Sequence, residues 1–156
     1  MTNQRRRAAG LGLKVIKSAI DPMFEGLRAE FESMMLSPNG FHDAAEACAR
    51  AWDDCTRPSE TKRIAAQFER ATAWLRLCGR RKTINRRANS YLLKHEAEDW
   101  WRSQCERCDN YVSNGCLLMA AIRLGFTFDR PAWRRDFPNA SLNISQRRPR
   151  GNSYYS

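Results

Sequence analysis

The 156-residue chain has room for one compact domain with tails. Its 42% hydrophobic content supplies a core and argues against a wholly disordered chain. No apolar run nears the roughly 20 residues that a membrane-spanning helix needs, which excludes that class, and a formal charge of +10 points to an acidic partner.

The chain opens on a basic stretch, MTNQRRRAAGLGLKVIKSAI. Lys14 and Lys17 interrupt its apolar part and no small-residue cleavage site follows. It therefore reads as a flexible basic arm over 1–10 and a short helix over 11–20 of a cytoplasmic protein, not as an export signal. Asp21-Pro22 is a helix start: an acceptor at the N-cap, then proline where no amide is needed. Phe24, Leu27, Phe31 and Met34/Met35 carry that helix to about Leu36, and Ser37-Pro38-Asn39-Gly40 is a turn. A third helix is predicted from Phe41 to Cys55, with Ala44, Ala45, Cys48 and Trp52 on its apolar face.

The strongest helical pattern follows Pro58. Ile64, Phe68, Ala71, Leu75 and Cys78 recur at alternating spacings of four and three, with Trp74 beside them and Gly79 as the natural stop. Lys62, Arg63, Arg70 and Arg76 take the other positions, a face for phosphates or simply for solvent. Residues 79–89 then place Arg80, Arg81, Lys82, Arg86 and Arg87 within eight positions, interleaved with Asn85 and Asn89. Cations with amides and the nearby Tyr91 make this the most nucleic-acid-like stretch of the chain.

Helical spacing resumes from Tyr91 through Trp100-Trp101, with His95 and Asp99 four apart and able to pair. Ser113 is predicted to cap a helix running to Leu124 with Gly125 at its end. Its near-continuous apolar residues mark the buried centre of the fold, and its first amides are free to hold an anion. Phe126–Phe128 and residues 140–145 alternate like short strands and are expected to pair as a hairpin. Residues 146–156 (QRRPRGNSYYS) read as a basic flexible tail. The predicted fold is thus mainly α: five to six helices over 11–145 with a short C-terminal β-hairpin, between basic tails.

Six cysteines occur. Cys48, Cys55 and Cys78 sit inside helical patterns as small apolar fillers, and cytosolic thiols stay reduced. Cys105 and Cys108, at the spacing of a metal clamp, could take zinc with Cys116 and His95. Packing thiols and no cofactor are the expectation, because one CxxC without a second pair matches no standard finger.

The charge is segmented. Residues 21–61 carry a net −6, 62–94 a net +9 and 95–109 a net −3, while 1–20 and 110–156 carry +5 each. Only Lys14, Lys17, Lys62, Lys82 and Lys94 are lysines, so 22 of the 27 cations are arginine, whose planar fork fits phosphates and carboxylates. A codon bias toward arginine is the competing explanation of that ratio. The acidic segment over 21–61 either docks on the basic one and masks it or leaves it open.

One pattern runs Asn85…Ser90-Tyr91-x-x-Lys94-His95-x-x-Glu98, then Tyr111-Val112-Ser113-Asn114-Gly115, Ala120-Ala121, Gly125-Phe126, Pro138-Asn139-Ala140 and Asn143-Ile144-Ser145. It resembles small accessory proteins of bacterial mobile elements such as plasmids and prophages. The resemblance implies an accessory role, in DNA management or in blocking host defence as CRISPR inhibitors do.

The expected function is nucleic-acid binding, to DNA or RNA, through Arg80, Arg81, Lys82, Arg86, Arg87, Asn85, Asn89, Arg63 and Arg70. The alternative is an anti-defence inhibitor that docks on a host nucleoprotein complex, with tryptophans at the interface. An enzyme is not expected. No nucleophile is placed beside His95, and the deaminase pattern H-x-E…P-C-x-x-C is broken by Glu96-Ala97.

Overall fold

The computed structural model describes residues 20–130 and 138–151. The N-terminal arm, residues 11–19 of the helix expected over 11–20 and residues 152–156 of the tail lie outside them. The described residues form five α-helices: α1 Pro22–Phe31, α2 Ala45–Asp53, α3 Pro58–Leu75, α4 Ser90–Gln104 and α5 Asn114–Arg123. Two antiparallel strand pairs accompany them: β1 Leu36–Ser37 with β2 Gly40–Phe41, and β3 Phe128–Asp129 with β4 Ser141–Leu142. The mainly helical fold with a C-terminal hairpin is as predicted. No helix among the described residues is long and apolar enough to cross a membrane.

Asp21 caps α1, its carboxylate accepting the Met23 amide at 2.9 Å, and Phe24, Leu27 and Phe31 are the buried face. The helix ends earlier than the apolar spacing implied. A 3₁₀ turn over Glu32–Met34 leads to Met35 in the left-handed region at φ 62°, which reverses the chain into β1. The Ser37–Gly40 turn is the loop of a hairpin in which Leu36 pairs with Phe41 and Ser37 with Gly40. Because Phe41 belongs to that hairpin, α2 begins only at Ala45. Its Trp52 lies under the hairpin, donating from Nε1 to the Leu36 carbonyl at 3.0 Å and meeting Phe24 edge-on.

In α3 the residues of the predicted apolar face, Ile64, Phe68, Ala71 and Leu75, are all buried, together with Trp74. The helix stops at Leu75, and single turns through Leu77 and Cys78 carry the chain to Gly79. Gly79 is therefore not the cap; its carbonyl accepts the Ser145 amide at 2.8 Å. Helix α5 is the predicted central helix, with Asn114 through Ala121 all buried. It packs most extensively on α3 and also touches α4 and both strands of the first hairpin. Gly125 at φ 86° ends it, with the Gly125 amide on Ile122 O and the Phe126 amide on Ala121 O. This reciprocal pair closes the orphan carbonyls of the last turn. Phe128 pairs with Leu142 and Asp129 with Ser141, in the predicted hairpin.

Two expectations fail here. The first amides of α5 are not free for an anion: Gly115 N–H donates to Pro38 O at 3.0 Å and Cys116 N–H to the Ser113 hydroxyl at 3.2 Å. The hairpin plugs the helix end. Nor do residues 146–151 behave as a tail. Trp74 Nε1 donates to Pro149 O at 3.1 Å, and the Arg148 side chain is only 2% exposed.

Two predictions follow from the hairpin seat. A Cβ at Gly115 would stand 1.8 Å from Ser37 O and 2.5 Å from the Pro38 carbonyl carbon, both backbone. Gly115→Ala is expected to cost about 3 kcal/mol or more in a denaturant melt. In the same hairpin His42 Nε2 lies 2.6 Å from the Ser37 hydroxyl, and burial holds its pKa below the ordinary value. The unfolded chain then binds the proton more readily than the folded one, so stability drops as pH falls through about 6.5. His42→Gln should flatten that part of the pH–Tm curve.

Candidate nucleic-acid interface

The basic loop over 79–89 is held by its backbone. Arg81 N–H donates to Asn143 O at 2.6 Å and Asn85 N–H to Leu142 O at 2.9 Å, while the Asn143 amide returns a bond to Arg81 O at 2.8 Å. Isolated bridges join Arg80 to Ile144 and Asn89 to Ser141. The loop is in effect an irregular neighbour of the last strand.

That construction assigns internal work to most of the predicted binding residues. Asn85 is 2% exposed and donates to Ile144 O at 3.1 Å. Asn89 caps α4, accepting the Leu92 amide at 2.9 Å. Arg80, though exposed, reaches across to the end of α5, where its guanidinium donates to Leu124 O at 3.1 Å and Gly125 O at 3.2 Å, near the negative end of the helix dipole. Arg70 holds Tyr111 O at 2.9 and 3.1 Å and Asp109 at 3.4 Å. Arg86 pairs with Asp129 at 2.8 Å and Arg63 with Glu60 at 3.2 Å. Among the described residues the Arg81 side chain bonds only the Thr83 hydroxyl, at 3.4 Å. Lys82 and Arg87 are exposed, and their side chains have no partner among the described residues. Of the nine predicted residues, Arg81, Lys82 and Arg87 keep their charge available to a ligand.

The fold adds cations that the sequence reading left in a tail. Arg87, Leu92 and Gln146 line a cleft of about 340 Å³ with Glu96, Arg148 and Arg150. Arg148 is buried against Glu96 in a two-pronged ion pair, with Nη2 to Oε1 at 2.8 Å and Nε on Oε2. Asp99, also on this wall, is paired with Arg102. Arg150 reaches Glu96 only at 3.6 Å and its side chain is 57% exposed. Both carboxylates of the cleft are thus matched by arginine, which leaves Arg87 and Arg150 as its uncompensated charge.

On the adjacent face of α4 a second cluster replaces the predicted His95–Asp99 pair. His95 Nδ1 bonds Glu98 Oε2 at 3.0 Å instead. Glu98 Oε1 accepts Lys94 Nζ at 3.0 Å and the Val112 amide at 3.1 Å. The ammonium of Lys94, itself 7% exposed, lies 4.8 Å from the centre of the Tyr111 ring and 5.7 Å from that of Tyr91. Lys94 and Glu98 stand at the i, i+4 spacing of a helix pair, a signal present in the sequence. Their burial was not legible, because it depends on Val112 folding back over them.

The four metal candidates do not come together. Cys105 and Cys108 are joined by a disulfide, correcting the reading of reduced thiols at that motif. Cys116 is buried in α5 with its thiol on Ile64 O, and His95 is engaged by Glu98. Among the described residues no group of three or more His, Cys, Asp or Glu side chains could hold a metal ion. Cys48 is buried, Cys55 and Cys78 partly so. Burial pushes the Cys78 and Cys116 thiols up to about 12.

Compared with known proteins, the chain matches no family model, no curated protein and no solved structure.

Glu98→Ala leaves the Lys94 ammonium buried without its carboxylate and should cost about 3 kcal/mol of stability in a denaturant melt. Lys94→Met with Glu98→Leu, which removes both charges, should recover part of that loss. Cys116 should resist alkylation at pH 8 in the native protein and react on unfolding, because thiolate is the reactive form.

Proposed function

We propose that the protein binds nucleic acid by its phosphate backbone, with Arg81, Lys82, Arg87 and Arg150 as the contacting cations. One observation carries this reading. Among the described residues, Arg63–Glu60 is the only ion pair between the acidic 21–61 segment and the basic 62–94 segment. The other ion pairs of the acidic segment among the described residues are internal, Arg28 with Glu32 and Asp53, or run from Glu30 to Arg123. The positive charge of the basic segment is therefore not cancelled by the negative one, and a polyanion meets it at the loop and the cleft.

The anchoring of the loop backbone favours binding, since an already ordered backbone loses less conformational freedom on contact. Phosphate contacts position a ligand without reading sequence, so recognition is expected to be largely sequence-independent. Three of the five tryptophans give little to the alternative inhibitor reading. Trp52, Trp74 and Trp101 donate their indole N–H groups to carbonyls of this same chain. A mobile-element accessory role rests on the sequence resemblance and is consistent with such binding, as is the cytoplasmic location expected from the N-terminal stretch.

The test is a salt titration of nucleic-acid binding by fluorescence anisotropy. Arg81→Ala, Lys82→Ala and Arg87→Ala combined should weaken binding and lower the slope of log K against log salt by roughly 2 to 3, about one per lost phosphate contact. A wild-type protein that shows no salt-sensitive binding at low ionic strength refutes the proposal.

A further inference from the structure

We propose that Tyr91, His95 and Tyr111 form a stacking site for an unpaired nucleobase, so that the nucleic acid the protein takes is single-stranded. The inference rests on the nucleic-acid reading above and adds to it the class of strand.

Tyr91 and Tyr111 are large rings left 53% and 46% exposed. They come from different places in the chain, Tyr91 from the first turn of α4 and Tyr111 from the segment before α5. The Lys94 ammonium brings them together, 5.7 and 4.8 Å from their centres. Its own position is fixed by Glu98 at 3.0 Å and by the Val112 carbonyl at 3.4 Å. Tyr111 is further tied by Arg70, which grips its carbonyl, and by its amide on Asp109 at 3.1 Å. Each ring is thus held on one side by the protein and open to solvent elsewhere. Anchoring the 105–113 segment explains Lys94, Glu98 and Val112; it gives no reason for two half-exposed phenol rings.

His95 completes the surface. Its ring meets Tyr91 edge-on at 4.7 Å and 86°, and its side chain is 46% exposed. Nδ1 is engaged by Glu98, so in the neutral ring with the proton on Nδ1 the other nitrogen, Nε2, which has no partner among the described residues, is a hydrogen-bond acceptor. A flat, partly apolar ligand carrying N–H donors on its edge fits rings beside such an acceptor, and a nucleobase is that ligand.

The strand that carries the base has a path. Leu92 and Glu96, each one position along α4 from Tyr91 and His95, line the cleft with Arg87 and Arg150. Successive helix positions are 100° apart, so Tyr91 and His95 lie on the strip of α4 next to the one, Leu92 and Glu96, that walls the cleft. A backbone held by the cations passes alongside the rings. In a duplex the bases are paired and stacked on one another and cannot reach a ring on a convex helix face. In a single strand they can, and stacking on aromatic side chains beside cations is the common mode of such binding.

The experiment compares a labelled mixed-sequence 12-nucleotide RNA, the same sequence as DNA, and the corresponding DNA duplex, with wild type and variants across salt. Single strands should bind at least about tenfold more tightly than duplex at equal salt. Tyr91→Ala or Tyr111→Ala should weaken single-strand binding by about tenfold with the salt slope unchanged, and leave duplex binding alone. Tyr91→Phe and Tyr111→Phe, which keep the ring, should retain it, and thermal melts of each variant separate lost stacking from lost folding. Arg87→Ala with Arg150→Ala should instead lower the slope. Loss on either the RNA or the DNA strand supports the site and identifies the sugar it accepts. Folded tyrosine-to-alanine variants that bind single strands like wild type, or that lose single strand and duplex equally, overturn this inference while the phosphate-binding reading stands. A wild type that binds none of the three probes overturns both.

Discussion

The hydrogen bond from the Gly115 amide to the Pro38 carbonyl fixes how the molecule is put together. Helix α5 is buried along almost its whole length, so its N-terminal amides have no water to turn to. An unmade bond there costs roughly 1–3 kcal/mol. The first hairpin answers that demand and sits so close that only glycine fits at position 115. The C-terminal part of the chain is drawn into the same junction. Pro138 O accepts the Phe41 amide at 3.1 Å and the Asn114 side chain at 3.1 Å. A hydrogen atom at Gly40 leaves room for that carbonyl, whereas a Cβ would stand 2.6 Å from it. Hairpin, central helix and C-terminal strand region are therefore mutually dependent.

The elements legible in the sequence were those with a local physical cause. Asp21-Pro22, Ser113 and Gly125 act through their own chemistry within a few residues, and each marks a helix boundary where expected. The period of α3 needed no partner to be recognised. Errors arose where a distant segment decides. The α1 pattern continued past Phe31, but the left-handed Met35 and the pairing of β1 with β2 ended it. The apparent tail over 146–151 was polar and rich in arginine, a composition that says tail. Yet Glu96 and the Trp74 indole wait 52 and 75 residues away to receive it.

The candidate site was legible as charge and not as geometry. Arginine serves equally well as a phosphate contact, a cap on helix carbonyls or half of an ion pair, and composition cannot distinguish these uses. Arg80 became a helix cap, Arg70 a loop clamp and Arg86 an ion-pair partner, while Arg87 stayed free. Asn85 and Asn89, read as polar donors for a ligand, are spent on strand and helix backbone. His95 illustrates the same limit on a smaller scale. Spacing allowed Asp99 or Glu98 as its partner, and the choice was made by Lys94 and Val112, which draw Glu98 inward.

The way the basic loop is secured bears on how the protein emerges during synthesis. The backbone of residues 79–89 makes its long-range hydrogen bonds with residues 140–145, about 60 positions later. A nascent chain that has already made α1 through α4 lacks the strand against which this loop settles. Until those later residues clear the ribosome, the backbone that carries five closely spaced cations lacks its anchor, beside ribosomal RNA. Completion of the C-terminal segment is then also the step that fixes the backbone of the basic loop, and with it the arrangement of cations seen in the folded molecule.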